Sequence, residues 1–153
     1  MTQAAKYLIP VELELGGKDP MIVFDDVHLE RATSGALWGG MLNCGQTCTS
    51  VERIFVQESI LDAFVAQLKE KMEKISTLST KPDDDGGLCV GCMTTSFQIE
   101  EIEAQLQEAQ EKGADIVSGG KCVPGTHIFP PTLVVTRNLS LKILNDETFG
   151  PVV

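Results

Sequence analysis

Asn43-Cys44-Gly45-Gln46-Thr47-Cys48-Thr49-Ser50 places a thiol among small polar residues, between a long uncharged segment and a strand-like run. Thiolate rather than thiol is the nucleophile, and it is favoured where polar donors and solvent reach the sulfur. Cys48, with Gly45 three residues before it and a threonine on either side, has such a setting. A free cysteine is also an ordinary small core residue. The octapeptide alone leaves both readings open, and the flanking sequence must separate them.

Upstream, Val11 to Leu15 alternates apolar and acidic residues as a half-exposed strand would, and Gly16-Gly17 ends it. Glu14 then stands at a strand end, as a movable base or as a solvent-facing carboxylate beside a turn. Pro20 to Phe24 reads as a short buried strand. Asp25 or Asp26 is expected to cap a helix through Val27, Arg31, Ala32, Leu37 and Trp38, with Trp38 in the core and Gly39-Gly40 at its end. Downstream, Val51 to Val56 reads as a strand, and Ser59 as the cap of an amphipathic helix that buries Ile60, Phe64, Leu68, Met72 and Ile75.

The charged face of that helix, Lys69 to Lys74, is a solvated surface. Lys81 to Gly87 reads as a loop, and its three aspartates lack the spacing of a calcium site. Cys89-Val90-Gly91-Cys92 is a single C-x-x-C pair with no second ligand pair, and His28 and His127 sit in no ligand pattern, so no metal site is expected. Ser96 is expected to cap a helix from Phe97 to Lys112 stopped by Gly113. Ala114 to Val117 follows as a strand and Ile128 to Val135 as an extended run. Helices and strands alternating through short glycine-bearing links predict an α/β fold, a layered sheet with flanking helices.

Composition narrows the partners. The 153 residues carry a net charge of −10 with 42% apolar residues, a globular balance that repels nucleic acid and anionic membrane surfaces. The uncharged segment from Ala32 to Val51 holds too many glycines and polar residues for a membrane span. No secretory signal is read in Met1 to Lys6, and five cysteines make an odd count for a disulfide framework, which points to a reducing compartment, the cytoplasm.

Three motifs follow one another: Glu14-Leu15-Gly16-Gly17-Lys18-Asp19-Pro20, then Asn43-x-Gly45-Gln46-x-Cys48, then Glu147-x-Phe149-Gly150-Pro151. In order and spacing the chain resembles the aldehyde dehydrogenase superfamily. The resemblance implies a truncated catalytic domain of that fold, with residues 1–15 as the end of a cofactor-binding domain and 16–153 as part of the cysteine-bearing catalytic domain. It further implies Cys48 as nucleophile and Glu14 as the base that activates water. Glu147 would hold the nicotinamide ribose, Phe149 would pack near the nicotinamide, and Gly16 would lie on the cofactor side and let Glu14 move.

Lys18 matches a motif position of structural character, Cys44 one without a role. The Cys48 N–H would be one oxyanion donor, whereas the second, an upstream Asn, has no counterpart in Asn43. The implied cofactor is NAD or NADP, the substrate a small-molecule aldehyde, and the full-length protein a homo-oligomer. A thioester hydrolase could use the same Cys48 and Glu14 but would have no use for Glu147 and Phe149. A non-catalytic fragment is the other alternative. No G-x-G-x-x-G turn occurs in the 153 residues, so alone they are expected to bind cofactor weakly and to self-associate.

Overall fold

The computed structural model describes residues 1–75 and 89–153; the Lys81–Gly87 loop lies outside the described residues. A short helix, α1 (Thr2–Ala5), leads into an arm without regular structure up to β1 (Asp19–Val23). Then come α2 (Leu29–Met41), β2 (Val51–Val56), α3 (Leu61–Glu73), α4 (Ser96–Glu111), β3 (Asp115–Ser118), β4 (Leu133–Val135) and α5 (Lys142–Asn145). β1 and β2 pair in parallel, with Ile22 beside Phe55 and Val23 beside Val56, and α2 is the crossover. β3 and β4 pair antiparallel, Ile116 beside Val134. The end of the chain joins β4 through a parallel bridge between Thr132 and Val152. The α/β class is therefore as expected.

One core runs through these layers. Ala36 and Met41 of α2, Phe64, Leu68 and Met72 of α3, and Ile99, Ile102, Leu106 and Ala109 of α4 meet Val23, Phe129 and Leu141 within it. The helical stripes on α3 and α4 are those that 3.6-residue spacing predicts. Gly113 stops α4 as expected: its φ of +86° is open to glycine, and Ala114 N–H closes the end by donating to Ala109 O at 2.9 Å.

Several local expectations are corrected. Val11 to Leu15 is not a strand; it is exposed, and no strand lies beside it among the described residues. Alternation marks a strand only where a neighbour can take its N–H and C=O groups. Neither Asp25 nor Asp26 caps α2, which begins after His28 without a side-chain cap, and the Asp25 carboxylate instead accepts from Gln57 Nε2 at 2.8 Å. Ser59 lies in a single 3₁₀ turn (Glu58–Ile60), its hydroxyl directed to Asp25 Oδ2. α4 is capped by Thr95, whose Oγ1 accepts from Gln98 N–H, while Ser96 is the first helical residue.

Trp38 is not in the core but 60% exposed, and β1 is buried on one face only, since Pro20 and Ile22 are open to solvent, as is Phe24 just beyond the strand. The spacing on α2 placed Trp38 on the buried stripe, but the buried positions of that helix are Ala32, Thr33, Ala36, Leu37, Gly40 and Met41. A stripe of small residues lets α2 lie close to its neighbours and leaves the indole outside.

Replacing Ile102, fully buried in α4, with Ala is expected to cost about 2–5 kcal/mol. Thr95→Ala should cost about 1 kcal/mol by removing the cap. Urea unfolding followed by circular dichroism measures both.

Candidate active site

Cys48 lies where the sequence placed it, in the turn between α2 and β2. Ser50 N–H donates to Thr47 O at 2.9 Å to close that turn, and Cys48 is half-buried within it. Before the turn, Asn43 and Cys44 both adopt left-handed backbone, with φ of +53° and +60°. Such conformations cost roughly 1–3 kcal/mol each outside glycine and persist only where neighbours enforce them. Here Asn43 Nδ2 donates to Gln46 O at 2.9 Å, and Gln46 Nε2 returns a bond to Asn43 O at 3.2 Å. Gln46 also ties the loop outward, its Oε1 accepting from Thr94 N–H at 2.8 Å. Cys48 N–H has no acceptor among the described residues, so it is open as a donor.

Three glycine contacts bring the motifs together. A Cβ on Gly17 would overlap the carbonyl oxygen of Cys48, and one on Gly16 would overlap the Glu147 carboxylate. Gly45, with φ of +67°, lies against the Gly150 carbonyl. At Gly17 and Gly45 the obstacle is main chain, and only a residue without a side chain permits the approach. Gly17 N–H donates to Glu147 Oε1 at 3.0 Å, so the first and third motifs are also hydrogen-bonded. Glu14 stands three residues before this junction on the exposed arm. Phe149 is half-buried and borders, with Glu147, Phe97, Gln98 and Glu101, a recess of about 360 Å³.

The two cysteines of the loop differ in chemistry. Cys44 is buried, with Sγ 3.6 Å from Met93 Sδ, and burial, with a smaller contribution from Cys92, pushes its thiol up to about 12. It therefore stays protonated near neutral pH, the opposite of what a reactive thiol needs. Cys89 and Cys92 are free and exposed.

Sequence reasoning missed the residue that holds the third motif. Glu52 of β2 has a side chain only 2% exposed and pairs with Lys18 Nζ at 2.6 Å. Burial draws the Lys18 ammonium below the usual lysine range, opposed by its bond to Glu52. Glu52 Oε2 also accepts from Thr148 N–H at 2.8 Å, and Oε1 from Phe149 N–H at 2.9 Å. The available signal was an acidic residue inside Val51-Glu52-Arg53-Ile54-Phe55-Val56, a strand that is otherwise largely apolar.

A thiol in a polar turn, a glycine (Gly17) pressed on its carbonyl and, against the neighbouring Gly16, a carboxylate from a distant segment define a cysteine-centred α/β site. The chain belongs to the aldehyde dehydrogenase family: the model described as "Aldehyde dehydrogenase family" matches residues 1–153. Lactaldehyde dehydrogenase of Escherichia coli (strain K12) is 38% identical over 153 residues, with 99% of this chain and 32% of the relative covered. Succinate-semialdehyde dehydrogenase (NADP(+)) GabD of the same organism is also 38% identical, over 99% of this chain and 31% of the relative. The solved structure of a putative aldehyde dehydrogenase, PutA, from Anabaena variabilis superposes with a TM-score of 0.88 at 39% identity, covering 99% of this chain and 32% of that one. The chain thus spans about a third of the length of these relatives.

The raised Cys44 pKa has a pH consequence. Between pH 9 and about 12 the unfolded chain releases a proton that the folded chain retains, so the contribution of Cys44 to stability falls as pH rises. The difference in unfolding free energy between wild type and Cys44→Ala should shrink by about 1.4 kcal/mol per pH unit above 9. Urea titrations at stepped pH measure it.

Proposed function

We propose that this chain is the cysteine-bearing part of an enzyme that oxidises an aldehyde to a carboxylic acid with NAD or NADP. The observation that carries the reading is the meeting of Gly16-Gly17, the Cys48 turn and Glu147 at one junction. Residues 16–153 then act as part of the catalytic domain and residues 1–15 as the end of a cofactor-binding domain. The exposed Tyr7, Leu8, Ile9, Leu13 and Leu15 support that division, because an arm with these side chains has an apolar surface to bury elsewhere.

The donor set suits one end of the cofactor. Glu147 offers an exposed carboxylate to ribose hydroxyls, and Phe149 offers a half-buried ring beside a recess. When bound, the nicotinamide supplies the acceptor for the hydride that leaves the substrate carbon. Cys48 Sγ attacks the aldehyde carbonyl to form a thiohemiacetal, and Cys48 N–H donates to the developing oxyanion. After oxidation to the thioester, Glu14 takes a proton from water as it attacks, releasing the acid and the Cys48 thiolate. The stretch Leu13 to Lys18 has neither helix nor strand, which gives Glu14 freedom to approach and withdraw.

The 153 residues supply the ribose end of a cofactor site only. A hydrogen bond to a charged group is worth about 1.5–3 kcal/mol net, whereas micromolar affinity requires about 8 kcal/mol. The isolated chain should therefore show no micromolar NAD or NADP binding by calorimetry. Ile22, Phe24 and Phe55 share one solvent-exposed face of the β1–β2 pair, an apolar patch suited to contact with further chain or another copy.

In the full-length chain, Cys48→Ala should abolish aldehyde-dependent cofactor reduction. Glu14→Gln should lower steady turnover by about 10²–10⁴-fold while sparing the first-turnover burst of reduced cofactor. Stopped-flow absorbance at the reduced-nicotinamide band checks both, and oxidation that survives Cys48→Ala would overturn the assignment.

A further inference from the structure

The tripeptide Glu147-Thr148-Phe149 is held in an unusual way. Among the described residues, none of its main-chain groups bonds to another main-chain group. Four are held by side chains instead. Thr148 N–H and Phe149 N–H donate to the two oxygens of Glu52, Glu147 O accepts from Gln105 Nε2 at 3.1 Å, and Thr148 O accepts from Gln98 Nε2 at 2.7 Å. Thr148 Oγ1 accepts from Lys18 Nζ at 2.6 Å and donates to Gln105 Oε1 at 2.8 Å. Phe149 has φ of +49°, a left-handed conformation that a phenylalanine adopts only under restraint.

We propose that Glu52 is a positioning residue for the cofactor-side segment: its carboxylate, paired with Lys18, grips the N–H groups of Thr148 and Phe149 and so aims Glu147 and Phe149. Two successive N–H groups converging on one carboxylate form an anion-binding nest, and filling it stabilises a turned backbone that Phe149 would otherwise leave. A buried carboxylate is tolerated only when every oxygen is bonded, and here an ammonium and two amides satisfy both. An apolar residue would fill the same space on β2 without desolvating a charge, so the carboxylate is present for the bonds it makes. Glu52 stands four residues after Cys48 on the strand that leaves the nucleophile turn. One short segment thus sets both the thiol and the carboxylate opposite it. This inference rests on the reading of Glu147 as the ribose-binding group.

The test has two arms. In the 153-residue chain, deuterium exchange at the Thr148 and Phe149 amides is measured for wild type, Glu52→Gln and Glu52→Asp. Aspartate keeps the charge beside Lys18 but withdraws the oxygens from the two amides, so it serves if the Gln variant fails to fold. Exchange is expected to accelerate about tenfold or more at Thr148 and Phe149, the loss of one charge-assisted bond. The Thr132 and Val134 amides, bonded to Pro151 O and Val153 O, should be unchanged. Equal acceleration at all four, or none in the aspartate variant, would overturn the proposal.

In the full-length chain, the KM for NAD or NADP should rise about tenfold in Glu52→Asp while kcat and the aldehyde KM stay within about threefold. If Cys48→Ala is inactive and the cofactor KM of Glu52→Asp is unchanged, the positioning role falls and the functional reading stands. If Cys48→Ala remains active, the functional reading falls, and the exchange arm still decides whether Glu52 holds the segment.

Discussion

A single buried carboxylate holds three distant parts of the chain together. Glu52 reaches from β2 to Lys18, just before β1, and to the Thr148–Phe149 backbone near the end of the chain. Desolvating two charges is costly, and the arrangement persists because the geometry saturates the carboxylate. Arg53 adds to it, its Nε donating to Lys18 O at 2.8 Å. The lysine is thereby fixed through its backbone as well as its ammonium, and with it the adjacent Gly17 that abuts Cys48.

Around this junction the absence of side chains matters as much as their presence. Gly17 against the Cys48 carbonyl and Gly45 against the Gly150 carbonyl bring backbone within van der Waals contact of backbone. The Cys48 turn is therefore clamped from two sides by main chain, and its own Asn43 and Gln46 hold it internally. Support from several directions fixes the backbone on either side of the thiol. Glu14, by contrast, lies on an exposed arm with no regular structure.

The core helices were legible because their stripes are local. Phe64, Leu68 and Met72, or Ile99, Ile102 and Leu106, face inward at helical spacing whatever they meet, and Gly113 stops a helix through its own backbone. Val51 to Val56 was legible for the same reason, as a β-branched run bounded by polar residues. Caps were less so. Asp25, Ser59 and Ser96 all have capping chemistry, yet Asp25 was drawn to Gln57, Ser59 to Asp25 and Ser96 to His127. Those partners lie on other segments and cannot be read from a window of four residues.

By itself the sequence determined the α/β class, the three motifs, the turn at Cys48 and family membership, since each depends on residue type and spacing along the chain. Tertiary structure alone decided that, among the described residues, Val11 to Leu15 finds no strand partner and Cys48 N–H no acceptor, that Trp38 stands outside the core and that Cys44 is a buried thiol with a raised pKa. It also decided that Glu52, an unremarked acid in a strand, anchors the segment carrying Glu147 and Phe149. The physical reason is common to all of these: pairing, burial and charge neutralisation depend on what lies across space from a residue, and the partners of Glu52 stand 34, 96 and 97 positions away along the chain.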